Sequence, residues 1–209
     1  MDIKGHIITI DAMGTQTEIV KKIRMKRADY VLALKGNQSS LHEDVRLYFD
    51  DAEFLSKCAY KKTVEKARSS TEEREYWQTD DIDWLTQRKE WAGLSSIAMT
   101  RNTIVKNDKI TTETRYFISS LSLNVDEVAR AIRGHWMVES HHWHLDVTFR
   151  EDDNHTAEKQ AAFNMNILKK LAIVVLKVYD SGKKNMSLRM KRFAICTNPT
   201  KHIERIFDI

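Results

Sequence analysis

Ile7, Ile8, Thr9 and Ile10 run directly into Asp11 and the turn Ala12-Met13-Gly14, and this opening constrains the fold more than any other feature of the chain. A helix is expected to follow from about Thr15, because Ile19, Val20 and Ile23 fall on one face at helical spacing. Tyr30-Val31-Leu32-Ala33-Leu34 then reads as a second strand, apolar throughout and so buried on both faces. Strand, helix and strand in that order imply a parallel pair joined by a right-handed crossover. Two short parallel strands do not make a whole sheet, so more strands are needed beside them.

The rest of the chain changes character twice. After Lys35-Gly36-Asn37-Gln38 a helix is expected over about residues 39–55. From Ala59 to Ser120, alternating segments at Glu73–Gln78, Ser95–Arg101 and Thr112–Ser119 read as antiparallel strands, with a hairpin tip at Asn107-Asp108. Asn124 with Glu127 three residues later forms a capping box that starts a long helix running to about Phe149. A break at Asp152-Asp153-Asn154 precedes a last long helix over about Ala157 to Val178, and the tail beyond Gly182 reads as basic and irregular, with a short helix near its end. The expected division is therefore 1–56, a strand–helix–strand–helix half of an α/β core; 57–121, a β-rich insertion; 122–180, long helices; and 181–209, a basic tail.

Composition sets the class. With 42% hydrophobic residues, 31% charged, one Pro and six Gly, the 209-residue chain has the make-up of a folded, helix-rich protein rather than a disordered one. The net charge of +4 does not by itself demand a polyanion, but Lys21, Lys22, Arg24, Lys26 and Arg27 cluster early and Lys183, Lys184, Arg189, Lys191 and Arg192 cluster late. Either group suits phosphates and equally suits a solvated helix face. Cys58 and Cys196 form no close motif, so reduced thiols are expected. No apolar run reaches the roughly 20 residues needed to span a bilayer, and the opening MDIKGHIITI is not a signal peptide. A cytoplasmic protein without a membrane partner is expected.

Two places carry candidate chemistry. Asp11 stands where a parallel strand ends, the usual position for ligand groups in open α/β sheets, and its carboxylate suits a hard cation such as Mg2+. A plain turn or N-cap aspartate is the commoner reading of one such residue. The segment IRGHWMVESHHWHLDVTFRED places His135, Glu139, His142 and Asp146 at i, i+4, i+7 and i+11, on one helical stripe. Either Glu139 shares an oxygen-ligand site with Asp11, or the stripe holds zinc, or it is a solvated face with internal ion pairs. The zinc reading is weakened by helical rise, which spreads the four groups over some 16 Å.

The blocks IITIDAMGTQ, YVLALKGNQ, IRGHWMVE with HWHLDVTFRED, and LRMKRFAI resemble, in order, those of the H-repeat-associated (Rhs-linked) insertion-sequence transposases, within the wider group that has an RNase H-like core and an Asp-Asp-Glu triad. The resemblance implies a partial RNase H-like α/β core, lacking its first strands, with a β-rich insertion and long C-terminal helices. It places the second catalytic Asp on Asp11 and the catalytic Glu on Glu139, as ligands of Mg2+ or Mn2+ in the intact enzyme. The 128 positions between them (139 − 11) leave room for the insertion. It also implies DNA partners, namely the insertion-sequence ends and the target, met near Lys35, Asn37, Gln38, Arg133 and His135, with a homo-oligomer among the expected states.

The departures are specific. Ile132, His135, Glu139 and Asp146 fill the positions of a wider Tyr, Arg, Glu and Lys pattern, so only Glu139 agrees, and Arg68-Ser69-Ser70 stands where the family tends to have His-Gly-Arg. The Asp-Gly-Lys block that carries the family's first catalytic Asp is absent, and Met1 falls at an internal position of the family pattern. A truncated, inert remnant or the downstream piece of a split gene is therefore expected. The alternatives are a residual DNA-binding module and a zinc protein built on His135, Glu139, His142 and Asp146.

Overall fold

The computed structural model describes residues 2–66, 70–107, 109–180, 182 and 186–207. Asp108 of the expected hairpin tip, Arg68 and Ser69 of the departure from His-Gly-Arg, and Lys183 and Lys184 of the late basic group lie outside the described residues. The chain divides into two compact units, Met1–His135 and Trp136–Ile209.

The first unit opens as the sequence predicts. β1 (Ile7–Ile10) is followed by a 3-10 turn at Ala12–Gly14, α1 (Thr17–Met25) and β2 (Asp29–Leu34), and β1 pairs with β2 in parallel, Ile7 opposite Asp29 and Ile10 opposite Leu32. Val20 and Ile23 of α1 are buried, as their spacing requires. The expected helix after Gln38 is two: α2 (Ser39–Asp50) and α3 (Ala52–Lys57). Asp51 separates them in extended conformation and its carboxylate caps α3, accepting from the Glu53 and Phe54 amides.

The strand-rich middle contains β3 (Ala59–Lys66), β4 (Ser70–Thr79), β5 (Ser96–Lys106) and β6 (Lys109–Ser119). All six strands form one sheet in the order β1-β2-β6-β5-β4-β3. β6 joins the middle to the opening, antiparallel to β2, with Val31 opposite Ser119 and Leu34 opposite Tyr116. β5 and β6 pair as far as Lys106 opposite Lys109, and Asn107 takes the left-handed conformation (φ 49°) that a two-residue tip requires.

Side chains alternate across the sheet. Tyr30, Leu32 and Leu34 of β2 share one face with Ile118, Ile97, Met99 and Trp77, where Val20, Ile23, Leu41, Val45 and Phe49 of the helices complete the core. Ile82, Leu85, Trp91 and Leu94, from the connection between β4 and β5, fill the same core. The opposite face is covered by the first part of α4 (Val125–Trp143), which buries Val128, Ala129 and Ile132. Ion pairs from Asp126 to Lys61 (2.5 Å) and from Arg133 to Glu65 (3.4 Å) tie α4 to β3.

Half of the expected capping box is present. The Glu127 amide donates to the Asn124 side chain (3.2 Å), but the Asn124 amide donates to Gln78 Oε1 (2.9 Å) instead of to Glu127. Gln78 is fully buried and its amide nitrogen donates to Ser96 Oγ and the Ser122 carbonyl, so its polar atoms are all satisfied.

In the second unit, the last turns of α4 pass into a π turn at His144–Thr148. α5 (Lys159–Val178) is capped by Glu158, which accepts from the Gln160 and Ala161 amides. The tail is not irregular: it forms α6 (Leu188–Thr197) and α7 (Pro199–Phe207). Apolar residues of LRMKRFAI sit at helical spacing inside a basic stretch, and the Ser187 side chain caps α6 at Met190 (3.3 Å). Lys191, counted in the late basic cluster, donates to the Leu176 and Tyr179 carbonyls at 3.0 and 2.6 Å and so satisfies the end of α5. Among the described residues, no helix is long and apolar enough to cross a membrane.

Candidate functional site

Asp11 follows the last residue of β1 with extended backbone (φ −70°, ψ 174°), so it continues the strand's alternation and falls on the same side as Ile7 and Thr9. Its side chain is exposed and makes no hydrogen bond or ion pair among the described residues, although it precedes a 3-10 turn it would ordinarily cap. The carboxylate oxygens are therefore available to a hard cation.

The turn behind Asp11 is held from several directions. Thr15, fully buried, directs its hydroxyl to the Ala33 carbonyl of β2 (2.7 Å), with the Asp11 carbonyl also within reach (3.2 Å). Asn37 Nδ2 donates to the Ala12 carbonyl (2.5 Å), and Gln38 Nε2 donates to the Thr15 carbonyl (3.1 Å). Gly14 is required here: a Cβ at this position would stand 2.3 Å from Ile10 Cγ2. The Lys35-Gly36-Asn37-Gln38 loop and the Asp11 turn thus form one hydrogen-bonded assembly at the ends of two parallel strands. The sequence singled out Asn37 and Gln38 for DNA contact. Their donors face the turn, a role that no local spacing reveals. Thr15 and Gly14 carried no signal beyond turn chemistry. Lys35, in the same loop, is exposed.

On α4, His135 is half-buried and its Nδ1 lies 3.2 Å from Thr9 Oγ1 of β1. Ile7 and Thr9 also line a cleft of about 430 Å3 with Glu127, Arg130, Ala131 and Gly134. Arg133 is half-exposed, with its guanidinium on Glu65. Glu139 stands one helical turn beyond His135 and is exposed.

The four-residue zinc stripe does not form. Among the described residues, no three His, Cys, Asp or Glu side chains are grouped closely enough to hold a metal ion. The physical reason is local: the π turn at His144–Thr148 takes Asp146 out of helical phase, and the rise of α4 separates His135 from His142 by about 10 Å. His141 and His144 are held below the ordinary histidine range, by burial first and then by the positive charge of Lys177. Zinc ligation through these residues is therefore set aside.

The family model described as "Transposase DDE domain" matches residues 1–175. "H repeat-associated putative transposase YhhI" of Escherichia coli (strain K12) is 35% identical over 208 residues, covering 95% of this chain and 54% of its own length. "Putative transposase YncI" of Escherichia coli O157:H7 is 32% identical over 203 residues, covering 94% and 52%. An "Uncharacterized protein in dhlA 3'region" of Xanthobacter autotrophicus is 41% identical over 119 residues, covering 57% and 40%. The chain thus spans about half the length of the curated transposase-named relatives it matches. No solved structure matches it. With its α/β sheet, its aspartate at the end of β1 and a family match that covers most of its length, the chain belongs to the transposase DDE domain family, whose fold is RNase H-like.

Proposed function

We propose that this chain supplies two carboxylates, Asp11 and Glu139, of a DNA-cleaving and strand-transferring transposase, and that the two together hold a divalent ion, Mg2+ or Mn2+. One contact carries the reading: His135 Nδ1 against Thr9 Oγ1 at 3.2 Å. Thr9 and Asp11 face the same side of their strand. His135 and Glu139 share one side of their helix. Ile7 and Thr9 line one cleft with Glu127, Arg130, Ala131 and Gly134, so β1 and the first part of α4 lie side by side. In sequence, Asp11 stands two positions beyond Thr9 (11 − 9) and Glu139 four beyond His135 (139 − 135).

The donor set fits the ion. Carboxylate oxygens are the ligands that Mg2+ and Mn2+ prefer, and a carboxylate ending a parallel strand is where open α/β sheets place ligand groups. When bound, such an ion supplies Lewis-acid polarisation of a phosphate and a lowered pKa for an attacking water or 3′-hydroxyl. The residues around it have other tasks. Asn37, Gln38 and Thr15 hold the Asp11 turn in position, and Lys35, Arg133 and His135 face the path of a DNA backbone.

Taken alone, the 209-residue chain is expected to be inert. The family's triad needs three carboxylates, and two positions here match it. Supercoiled plasmid incubated with the purified chain and Mg2+ or Mn2+ should stay supercoiled, and a strong metal-dependent nicking activity lost in Glu139→Ala would overturn the inert reading. Mn2+ binding read by water-proton relaxation should weaken in both Asp11→Ala and Glu139→Ala. Unchanged binding in both variants would remove the shared ion.

A further inference from the structure

A second cleft, of about 590 Å3, opens in the first unit where the end of α2, the start of α3 and the connection after β4 meet. Its floor is aromatic. The Tyr48 ring is buried and lies nearly parallel to Phe54 (centroids 4.9 Å apart, 11°) and to Trp84 (5.2 Å, 4°). Phe54 and Trp84 each remain 40% exposed, an uncovered aromatic surface.

The rim is acidic. Asp44, Asp51 and Asp81 line the same cleft. Asp51 is oriented by the Glu53 and Phe54 amides and Asp44 by Gln87 Nε2 (3.0 Å), bonds that fix both carboxylates without neutralising them. Trp84 Nε1 donates to the Asp81 carbonyl at 2.8 Å, which sets the indole plane beside Asp81. Beside the cleft, the Lys57 ammonium sits 5.8 Å from the Phe54 ring centre and pairs with Glu53 at 2.7 Å. Lys57 is thus paired first with Glu53, and it also feels the charge of Asp81. Its ammonium lies over one of these rings, Phe54.

Three carboxylates around exposed rings repel phosphates, so this surface does not suit the DNA that the family acts on. A planar cation fits it. A guanidinium stacks flat on an indole and presents paired donors to a carboxylate, which an ammonium does less well. We propose that this cleft docks an arginine side chain of a polypeptide partner, with the guanidinium stacked on Trp84 and paired with Asp81.

The test uses the full chain with its tryptophan indoles labelled with 15N, titrated with an acetylated, amidated tetra-arginine peptide at physiological salt. The expected result is a shift of the Trp84 indole N–H resonance, identified by its loss in Trp84→Leu. The matching tetra-lysine peptide should bind several-fold more weakly, and both Trp84→Leu and Asp81→Asn should weaken tetra-arginine binding by about tenfold. Asp81 is exposed, so its amide variant keeps the fold even where the tryptophan variant does not. A Trp84 resonance that does not move, equal affinity for the two peptides, or undiminished binding to Asp81→Asn overturns the proposal. So does a response to millimolar Mg2+ alone that the peptide does not reproduce. None of these readouts depends on Asp11 or Glu139.

Discussion

The side-chain amide of Asn37 donates to the main-chain carbonyl of Ala12 at 2.5 Å, which binds the loop after β2 to the turn that carries Asp11. Asn37→Ala removes the donor and leaves a partly buried carbonyl without it. A hydrogen bond of this kind contributes about 1 kcal/mol. For a chain of this size that corresponds to a fall in melting temperature of about 2–4 °C. Circular dichroism melts of the two proteins measure it, and coincident curves would mean the bond has no energetic role. Gln38→Ala tests the second strut in the same way, through the Thr15 carbonyl.

Gly14→Ala should destabilise more. The added Cβ would lie 2.3 Å from Ile10 Cγ2, and Ile10 is pinned in β1 opposite Leu32. Overpacking of this sort costs about 1–3 kcal/mol. Because the clash is with one methyl group, Ile10→Ala should relieve it, and the double variant should lose less stability than the two single losses added together. Strict additivity in denaturant titrations would show that Gly14 is needed for some other reason.

These two cases mark the boundary of what periodicity conveys. Ile7–Ile10, the apolar positions of α1 and the unbroken run Tyr30–Leu34 announced a parallel pair, and β1, α1 and β2 follow. Asp11 at the strand end was readable for the same reason. The antiparallel middle was recognised by alternation, but the pairing of β6 with β2 was not, because register between distant strands depends on which faces must be buried together. The helix carrying Glu139 was legible from Asn124 onward, whereas the role of Gln78 in capping it was hidden 46 positions upstream. The π turn escaped because a one-residue slip at His144–Thr148 leaves composition unchanged. The hydrogen bonds that make Asn37 and Gln38 into struts come from the juxtaposition of two loops, and no spacing within either loop records it.

The two cysteines should react at different rates. Burial pushes the Cys58 thiol from its ordinary 9.0 up to about 11, while Cys196 is exposed on α6. Alkylation requires the thiolate. At pH 8, iodoacetamide should therefore modify one thiol per chain quickly, and Cys196→Ser should abolish that fast phase. The linkage has a definite sign. A thiol whose folded pKa is raised contributes stability that is fully present below pH 9 and is lost as pH rises through about 11. Two equally fast thiols in the folded chain would contradict the burial of Cys58.

DNA affinity provides the last test, because it separates a binding role from catalysis. A basic surface that displaces counterions gives an affinity that falls linearly on logarithmic axes as salt rises, with a slope of about −0.9 for each duplex phosphate neutralised. Lys35 is exposed beside the assembly that holds Asp11, whereas Arg133 is already paired with Glu65. Lys35→Ala should therefore reduce the slope by about one contact, and Arg133→Ala by less, since its charge is partly balanced before DNA arrives. Fluorescence anisotropy with a labelled 20-base-pair duplex across a salt series measures both. Equal slopes for the native chain and Lys35→Ala would move the DNA path away from the Asp11 turn, and with it the reason for placing the reacting phosphate there.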